Sequence, residues 1–428
     1  MQKQTRILFF AFFIISIMSG AQTPSDTLHL RLDSAESMFI RQNYTLLAQK
    51  YNIDAQKAQI IQARLYSNPN LAVAYSLYNT KTKVFFPTGN GENGGNFAAE
   101  LSQLIYLAGK RNKQIKIAEQ NAKLAEYQFF DLARTLKYTL RTDFFNIYYL
   151  QKSARVYHEE ISSLQQVVNA FNEQQGKGYI SEKEVIRIKA QLYSLQTEYS
   201  GLVNQINDIE SELRLILQVK DVSIDPLIDS NTLTNLDPSK YPLSTLLDSA
   251  SKNRTDLLMA RATTEASKLN YDYQRSLAVP DVTLSLAYDQ QGSYINNFNS
   301  IGASIDLPFF NRNQGNIKSA RANIESSNAA QKSTESTVEE NIFRSLQKAF
   351  TNEKMYRNVD PKFLDDFNRL LHEVLVNYQK RNLTLLDFLD FYDSYKQNIL
   401  QSNALQFNRV SAFEDLNFYT GTNFFNNQ

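Results

Sequence analysis

Residues 181–216 of the chain read SEKEVIRIKAQLYSLQTEYSGLVNQINDIESELRLI. Apolar residues in this stretch recur at alternating steps of three and four positions: Val185, Ile188, Leu192, Leu195, Tyr199, Leu202, Ile206, Ile209, Leu213 and Ile216. This spacing places one apolar stripe on a long helix, and the stripe requires coiled-coil packing against a neighbouring helix. The stretch therefore predicts one arm of a long helical hairpin.

The other arm precedes it. A second stripe at helical spacing runs from Ala118 to Phe171 and covers ~80 Å at 1.5 Å per residue. The sequence GKGYI at 176–180 separates the two stripes and predicts a turn. Ser181 stands three residues before Glu184, which is the spacing of a capping box at the start of the return helix.

The plan is repeated along the chain. Three segments recur about 200 residues apart, which indicates duplication of a whole unit: NPNL at 68–71 and VPDV at 279–282, IKIA at 115–118 and IKSA at 317–320, and GYIS at 178–181 and RNLT at 381–384. Each half reads helix, strand, strand, long helix, turn, long helix. In the second half Thr384 and Asp387 stand where Ser181 and Glu184 do. Pro361 removes a backbone donor and is expected to bend or break its helix.

These patterns predict a leader over 1–21, a first repeat over 22–218, a connector over 219–242 and a second repeat over 243–428. The first repeat is predicted to have strands at about 70–78 and 97–105 and a hairpin tip at about 176–181. The second is predicted to have strands at about 281–288 and 299–307 and a hairpin tip at about 380–384. The connector assignment rests on its three prolines and its Asp and Ser residues.

The strand segments alternate between apolar side chains on one face and small or polar ones on the other. Leu71, Val73, Tyr75 and Leu77 alternate with Ala72, Ala74 and Ser76, and the segments at 282–288 and 300–307 alternate in the same way. A soluble sandwich also shows such alternation. The mostly small polar face is more typical of a membrane barrel with a wide aqueous lumen. The glycine-containing loops at 79–96 and 289–297 fit exposed extracellular loops.

Four strands are too few for a membrane barrel, because eight is the usual minimum. Open strand edges are not tolerated in lipid. If these strands form a barrel, several copies of the chain must share it.

Composition and charge exclude several classes of protein. The 428 residues are 43% hydrophobic with a net charge of +1, so no basic excess supports nucleic-acid binding. Cysteine is absent, which excludes disulfides, thiolate metal sites and lipidation on cysteine. The three histidines are far apart in sequence. No P-loop, dinucleotide fingerprint, zincin motif or cysteine nucleophile is present, so we expect neither an enzyme nor a cofactor.

The first residues read as a secretory leader. Lys3 and Arg6 precede an apolar run at 7–18, and small residues at 19–21 suit cleavage before Gln22. The run spans only ~18 Å as a helix, whereas a membrane core is ~30 Å thick. The mature chain is therefore expected to be exported.

The chain resembles the TolC family of outer-membrane efflux proteins from about Leu30 to Phe425. The duplicated helix–strand–strand–helix plan carries the resemblance, together with two tip motifs: Gly176, Gly178, Ile180 and Ser181 in the first, and Tyr378, Thr384, Asp387, Leu389 and Asp390 in the second. The runs LAGKR at 107–111 and LPFFNRNQG at 307–315 resemble the branch that serves cobalt–zinc–cadmium and copper exporters. Arg381 departs from the family pattern, which usually has glycine at that point of the second tip.

The resemblance implies a mainly α fold with a β-barrel part: a long coiled-coil helical barrel and four transmembrane strands per chain, with a 12-stranded barrel shared in a trimer. It implies the outer membrane of a Gram-negative bacterium as the location, contact with its lipid and a large periplasmic part. It implies a periplasmic adaptor (membrane fusion) protein and an inner-membrane pump, expected to be proton-driven. No dedicated metal site is expected.

Two groups of residues are candidates for function at the hairpin tips. Asp387 and Asp390 lie on adjacent positions of one helix face and would form stacked carboxylate rings in a trimer, so we hypothesise that they line the periplasmic aperture and attract cations. The alternative is that Asp387 caps a helix and Asp390 faces water. Candidates for adaptor docking are Gly176, Gly178, Ser181, Leu383 and Thr384, which turn and cap chemistry also explains.

The resulting hypothesis is a passive exit duct of a tripartite efflux system, with heavy-metal cations as cargo. A channel for multidrug efflux or type I secretion is the alternative. A periplasmic adaptor or coiled-coil scaffold is the alternative from another class, although neither needs four duplicated strands.

Overall fold

The computed structural model describes residues 26–89, 91–229, 233, 236–292, 295–360, 362–380 and 382–425. The expected leader at 1–21 lies outside these residues, as do Pro361 and Arg381. The helices are α1 (Leu32–Gln42), α2 (Tyr44–Arg64), α3 (Lys110–Gly176), α4 (Glu182–Leu217), α5 (Leu243–Asn253), α6 (Thr255–Leu277), α7 (Gln314–Asn358), α8 (Phe363–Gln379) and α9 (Leu385–Thr420). The strands are β1 (Asp26–Arg31), β2 (Asn70–Tyr75), β3 (Tyr78–Asn79), β4 (Val84–Phe85), β5 (Phe97–Ile105), β6 (Val222–Leu227), β7 (Val282–Asp289) and β8 (Phe298–Ile305).

The first repeat is built around the hairpin of α3 and α4. The 67 residues of α3 span ~100 Å at 1.5 Å per residue. The apolar stripe of α4 faces inward, with Val185, Ile188, Leu192, Leu195, Ile206, Leu213 and Ile216 buried and the other three stripe positions partly buried. The stripe that predicted the hairpin is therefore the surface along which α4 packs.

The second repeat follows the same order of helices and sheet strands, but its described residues contain no counterpart of β3 and β4, and its long helix is interrupted. Its long helix is divided into α7, which ends at Asn358, and α8, which begins at Phe363. The division surrounds Pro361, which cannot donate a backbone hydrogen bond to a continuing helix. The long helix that follows the sheet strands is therefore continuous in the first repeat, as α3, and divided in the second, as α7 and α8.

Four strands form one antiparallel sheet in the order β2-β5-β7-β8. The central pair joins the two repeats, because β5 belongs to the first and β7 to the second. Below the sheet, Lys110 is buried and its ammonium contacts the Asp281 carboxylate at 2.7 Å and the Val279 carbonyl at 2.6 Å. This contact ties the base of the first repeat to the second.

The segment between the repeats contains a strand. Residues 222–227 form β6, which pairs in parallel with β1 near the start of the described chain, and Leu28 lies opposite Ile224. His29 Nδ1 lies 2.7 Å from the Asp225 carboxylate across this pair. Pro226 is compatible with the pairing because a two-stranded ribbon leaves both outer edges unpaired.

Buried apolar side chains of the described residues form four clusters: one in each repeat, one near the tips, and a smaller one that contains Phe145, Tyr149 and Val410. Phe39, Leu140, Phe144 and Leu213 belong to the first core. Ile342, Leu346, Phe413 and Leu416 occupy the corresponding place in the second. Along the described chain, no helix combines the length and the apolar character needed to cross a membrane.

Candidate functional site

The register of the sheet sorts its side chains into two continuous faces. Residues directly opposite one another in adjacent strands share a face. One such row joins Leu71, Leu101, Leu286 and Ile301, and these apolar side chains are 46–80% exposed. The adjacent row on the other face joins Asn70, Ser102, Ser285 and Gly302. The sheet therefore has one mainly apolar, exposed face and one face mainly of small and polar residues. The exceptions include Gln103 on the first face and Leu104 and Phe298 on the second.

The strand residues of the small polar face carry carboxylates but no cation. Glu100 lies opposite Ala72 and Ala287, and Asp289 lies opposite Ala98. Neither lysine nor arginine occupies a strand position on this face. Water or solute along this face would meet a negative potential.

Both edges of the sheet are open. β2 pairs only with β5, and β8 pairs only with β7, among the described residues. Unpaired edge groups in an apolar environment cost several kcal/mol each, so an edge of this length in lipid needs a partner strand.

The first hairpin tip is a tight turn with a complete cap. Gly178 has a φ of 77°, a left-handed conformation that glycine adopts without steric penalty. Ser181 begins α4, and its hydroxyl accepts from the Glu184 N–H while the Glu184 carboxylate accepts from the Ser181 N–H at 3.1 Å. Gly176 ends α3, and a side chain added there would meet open space.

The second tip is capped in a related way. Thr384 begins α9, and its hydroxyl accepts from the Asp387 N–H at 3.2 Å and lies 2.6 Å from an Asp387 carboxylate oxygen. Asp387 and Asp390 are both exposed, and Leu383 is partly buried in the core near the tips. The helix cap explains the contact between Asp387 and Thr384. It does not involve Asp390.

Aromatic side chains hold the two tips together. The Tyr378 ring stacks on Phe388 with ring centroids 4.2 Å apart and an interplanar angle of 10°. Phe171 from the first hairpin lies 5.8 Å from Tyr378, measured between ring centroids. This core joins α3, α8 and α9 where each approaches the end of its hairpin.

A buried charged cluster lies further along the same helices. Lys396 is 2% exposed, and its ammonium contacts Glu198 at 2.9 Å and Asp393 at 3.1 Å. Tyr157 donates to Glu198 at 3.1 Å. Glu160 is also 2% exposed, and its Oε1 has no hydrogen-bond partner among the described groups. The pKa of Glu160 is raised to about 8, chiefly by burial; Lys396 opposes this shift, and the neighbouring Asp393 and Glu198 add to it.

Sequence reasoning did not single out this cluster. Glu160 lies three residues after Tyr157 and four before Leu164, so it falls on the apolar stripe of α3. A charged residue at a stripe position was the available signal. Over the described ranges, no three side chains of the metal-ligating types converge.

The comparisons with known proteins agree with this architecture. A family model described as "Outer membrane efflux protein" matches residues 37–218 and 246–354, which is more than half of the chain. The chain belongs to the outer membrane efflux protein family. The family assignment made from the sequence is confirmed, and so is the mainly helical fold with a smaller β part.

One curated relative of this outer membrane efflux protein is the cobalt-zinc-cadmium resistance protein CzcC of Cupriavidus metallidurans. The two are 23% identical over 293 residues, which cover 68% of this chain and 66% of that protein. The aligned segment thus spans slightly less than two thirds of the relative.

Solved structures of outer membrane channels show the same fold. The crystal structure of the Campylobacter jejuni CmeC outer membrane channel has a TM-score of 0.75 at 16% identity and covers 92% of this chain and 86% of CmeC. Crystal structures of CusC concern the conformational changes that accompany its folding and transmembrane channel formation. The match to CusC has a TM-score of 0.72 at 16% identity and covers 95% of this chain and 96% of that chain. This efflux protein is located in the outer membrane, with a large periplasmic part.

Proposed function

We propose that this protein is the passive exit duct of a tripartite efflux system and carries metal cations from the periplasm to the outside. The two-faced sheet carries the proposal, since an efflux-family chain here presents an apolar face to lipid and a small polar face to an aqueous path. The family match favours this duct over an adaptor or a scaffold.

Assembly with further copies of the chain follows from the open edges. β8 of one copy would pair with β2 of the next, which closes every strand edge within the membrane. Closure requires at least two copies of four strands by strand count. The number three, and hence a barrel of 12 strands, is taken from the resemblance to the TolC family.

Energy for transport would come from other components. The sequence holds no nucleotide-binding or redox motif, so the chain acts as a conduit rather than an enzyme. A periplasmic adaptor would join the hairpin tips to a proton-driven inner-membrane pump. Docking of the adaptor would allow the hairpins to separate and open the duct.

Metal cations are the cargo that the chemistry of the duct supports. The name of CzcC gives cobalt, zinc and cadmium resistance as the role of that relative. The small polar face of the sheet carries Glu100 and Asp289 without a counter-cation, which favours passage of cations over anions. Soft-ligand binding is not required, because a duct must release what enters it.

Growth of a deletion strain tests the proposal. The strain is grown with zinc, cobalt, cadmium, copper and a panel of lipophilic drugs and detergents, with the restored wild-type gene as the control. Selective sensitivity to metals is the expected result. Selective sensitivity to drugs would replace the cargo with lipophilic compounds, and unchanged growth under every condition would count against a role in efflux of these substances.

We propose that Asp387 and Asp390 line the periplasmic aperture of the assembled duct. Replacing both with asparagine should raise the half-blocking concentration of a divalent cation by roughly tenfold, equivalent to ~1.4 kcal/mol, because the carboxylates that attract the cation are lost. Single-channel currents in planar bilayers measure this. Asp366→Asn on α8 is the control, since Asp366 is exposed in a pair with Arg369. Equal block of all three proteins would remove the aspartates from the aperture.

We propose that the tip residues Gly176, Gly178, Ser181, Leu383 and Thr384 form the docking surface for the adaptor. Gly176→Trp should abolish efflux and leave assembly intact, because the added side chain enters open space and obstructs a partner rather than the fold. Gly201→Trp is the matched control, since Gly201 lies within α4 and also faces open space. Efflux is measured by metal resistance and assembly by the heat-resistant oligomer. Normal resistance in the Gly176→Trp strain would argue against docking at this tip.

A further inference from the structure

A cavity of about 500 Å³ lies between the two hairpin tips of one chain. Phe171 and Ile180 contribute from the first hairpin, and Tyr378 and Leu383 contribute from the second. We call it the tip cavity. Its volume lies in the range of pockets that enclose small organic molecules.

Tyr378 is the most buried of the polar residues that line the tip cavity. The residue is 7% exposed, and its hydroxyl has no hydrogen-bond partner among the described protein groups. Stacking on Phe388 and contact with Phe171 hold the ring in place. The phenolic oxygen lies on the line through Cβ and Cγ, about which the tyrosine ring rotates. Rotation of the ring therefore does not move the oxygen towards another hydrogen-bond partner.

The Tyr378 hydroxyl is neutral and able to donate. Burial raises the pKa of Tyr378 well above its usual value, and the negative charge of Glu184 acts in the same direction. A buried donor without an acceptor is unfavourable, and an acceptor supplied by a ligand removes that penalty.

The remainder of the lining is mixed and mostly uncharged. Val167, Ala170 and Leu385 present apolar surface, and Gln166, Gln174 and Thr384 present uncharged polar groups. Glu184 is the charged residue among the described lining residues, and its carboxylate already accepts from the N–H and hydroxyl of Ser181 at 3.1 and 2.9 Å. An anion would be repelled there, and a cation would find a carboxylate that is already engaged in the helix cap.

We propose that the tip cavity binds a small, neutral molecule with both apolar and polar surface, whose hydrogen-bond acceptor receives the Tyr378 hydroxyl. Because the walls come from both hairpins, such a molecule binds only while the tips lie together. It therefore opposes their separation. The inference does not depend on which substrate the duct carries.

Binding of 4-fluoroacetophenone, a neutral aromatic ketone, tests the proposal by ¹⁹F NMR titration of the purified full-length protein in detergent. Wild-type protein should show saturable binding. Tyr378→Phe keeps the ring and removes only the hydroxyl, and it should weaken binding about tenfold. Tyr193→Phe is the matched control, because Tyr193 is 61% exposed on α4 outside the cavity. Ala170→Trp should abolish saturable binding by filling the cavity.

Circular dichroism establishes that each variant is folded. Absence of saturable binding to the wild-type protein would overturn the proposal, and so would equal binding by wild type, Tyr378→Phe and Ala170→Trp, which indicates partition into detergent. The lack of native cysteine allows a second measurement, with spin labels at Lys177→Cys and Asn382→Cys, two exposed positions of the tips outside the cavity lining. The ketone should narrow the distance distribution between the labels, and an unchanged distribution would contradict the bridging role.

Discussion

Arg409→Leu is expected to lower the free energy of unfolding by about 3 kcal/mol, because it removes the buried partner of Glu353. Glu353 then keeps only its contact with the more exposed Arg357, whose Nε lies 2.7 Å from it. Arg409 is 2% exposed, and its Nε lies 2.6 Å from Glu353, which is 5% exposed. The same guanidinium donates to the Leu233 carbonyl at 2.6 Å and to the Leu236 carbonyl at 3.4 Å. It therefore holds the segment between the repeats against α7 and α9.

Denaturant unfolding followed by circular dichroism measures this loss. Arg369→Leu is the control, because Arg369 has a largely exposed side chain on α8 and its replacement should change the free energy of unfolding by less than about 0.5 kcal/mol. The double variant Arg409→Leu, Glu353→Leu should recover part of the loss, since it leaves neither charge of the buried pair, and Arg357, which also contacts Glu353, is largely exposed to water. Equal effects of Arg409→Leu and Arg369→Leu would show that the buried pair does not stabilise the fold.

Glu160→Gln is expected to stabilise the protein at alkaline pH and to have little effect in acid. The pKa of Glu160 is raised from 4.5 to about 8 in the folded protein. The folded state therefore holds a proton that the unfolded state releases, and wild-type stability falls as pH rises from about 4.5 to about 8. At ~1.4 kcal/mol per pKa unit, the total loss amounts to several kcal/mol. Glutamine at this position is neutral at every pH and does not show the loss.

Thermal denaturation midpoints between pH 4 and pH 9 measure the difference between this variant and wild type. The gap should be small at pH 4, widen between pH 5 and pH 8, and remain constant above. Glu159→Gln is the matched control, because Glu159 is the adjacent residue and is exposed. A gap of the same size at pH 5 and pH 9 would show that Glu160 ionises normally in the folded protein.

The repeated helix–strand–strand–helix architecture could be predicted because its signals are local. A stripe at steps of three and four residues specifies a helix with one buried side, and Ile188 and Leu195 are accordingly buried on α4. Alternation such as that of Leu284 and Leu286 with Ser285 specifies a strand with two unlike faces. Neither pattern depends on which element lies alongside.

The sequence patterns did not predict which distant segments pair with each other. The segment at 219–242 was predicted only as a connector, without a strand. In the structure β6 within it pairs with β1, which lies 196 residues away at the His29–Asp225 contact. Six-residue strands containing His29 or Pro226 carry a weak strand signal on their own. Their pairing depends on α3 and α4 bringing the two segments together.

The roles proposed for Asp387 and Asp390 remain predictions, because their neighbours in an assembly are other copies of the chain. The Glu160 cluster is a different case, since its members come from α3, α4 and α9 of one chain. Spacing within each helix shows that Glu160 and Lys396 fall on largely apolar faces. It does not show that they share one buried site.

Local spacing of side chains thus specified the long hairpins, the two-faced strands and the duplication, because helical and strand periods are properties of a single segment. The packing of separate segments established the β5–β7 junction, the β1–β6 pair, the buried Arg409–Glu353 pair and the cavity beside Tyr378. Burial of a charge or hydroxyl depends on which residues from elsewhere in the chain surround it. That information exists only once the helices are assembled.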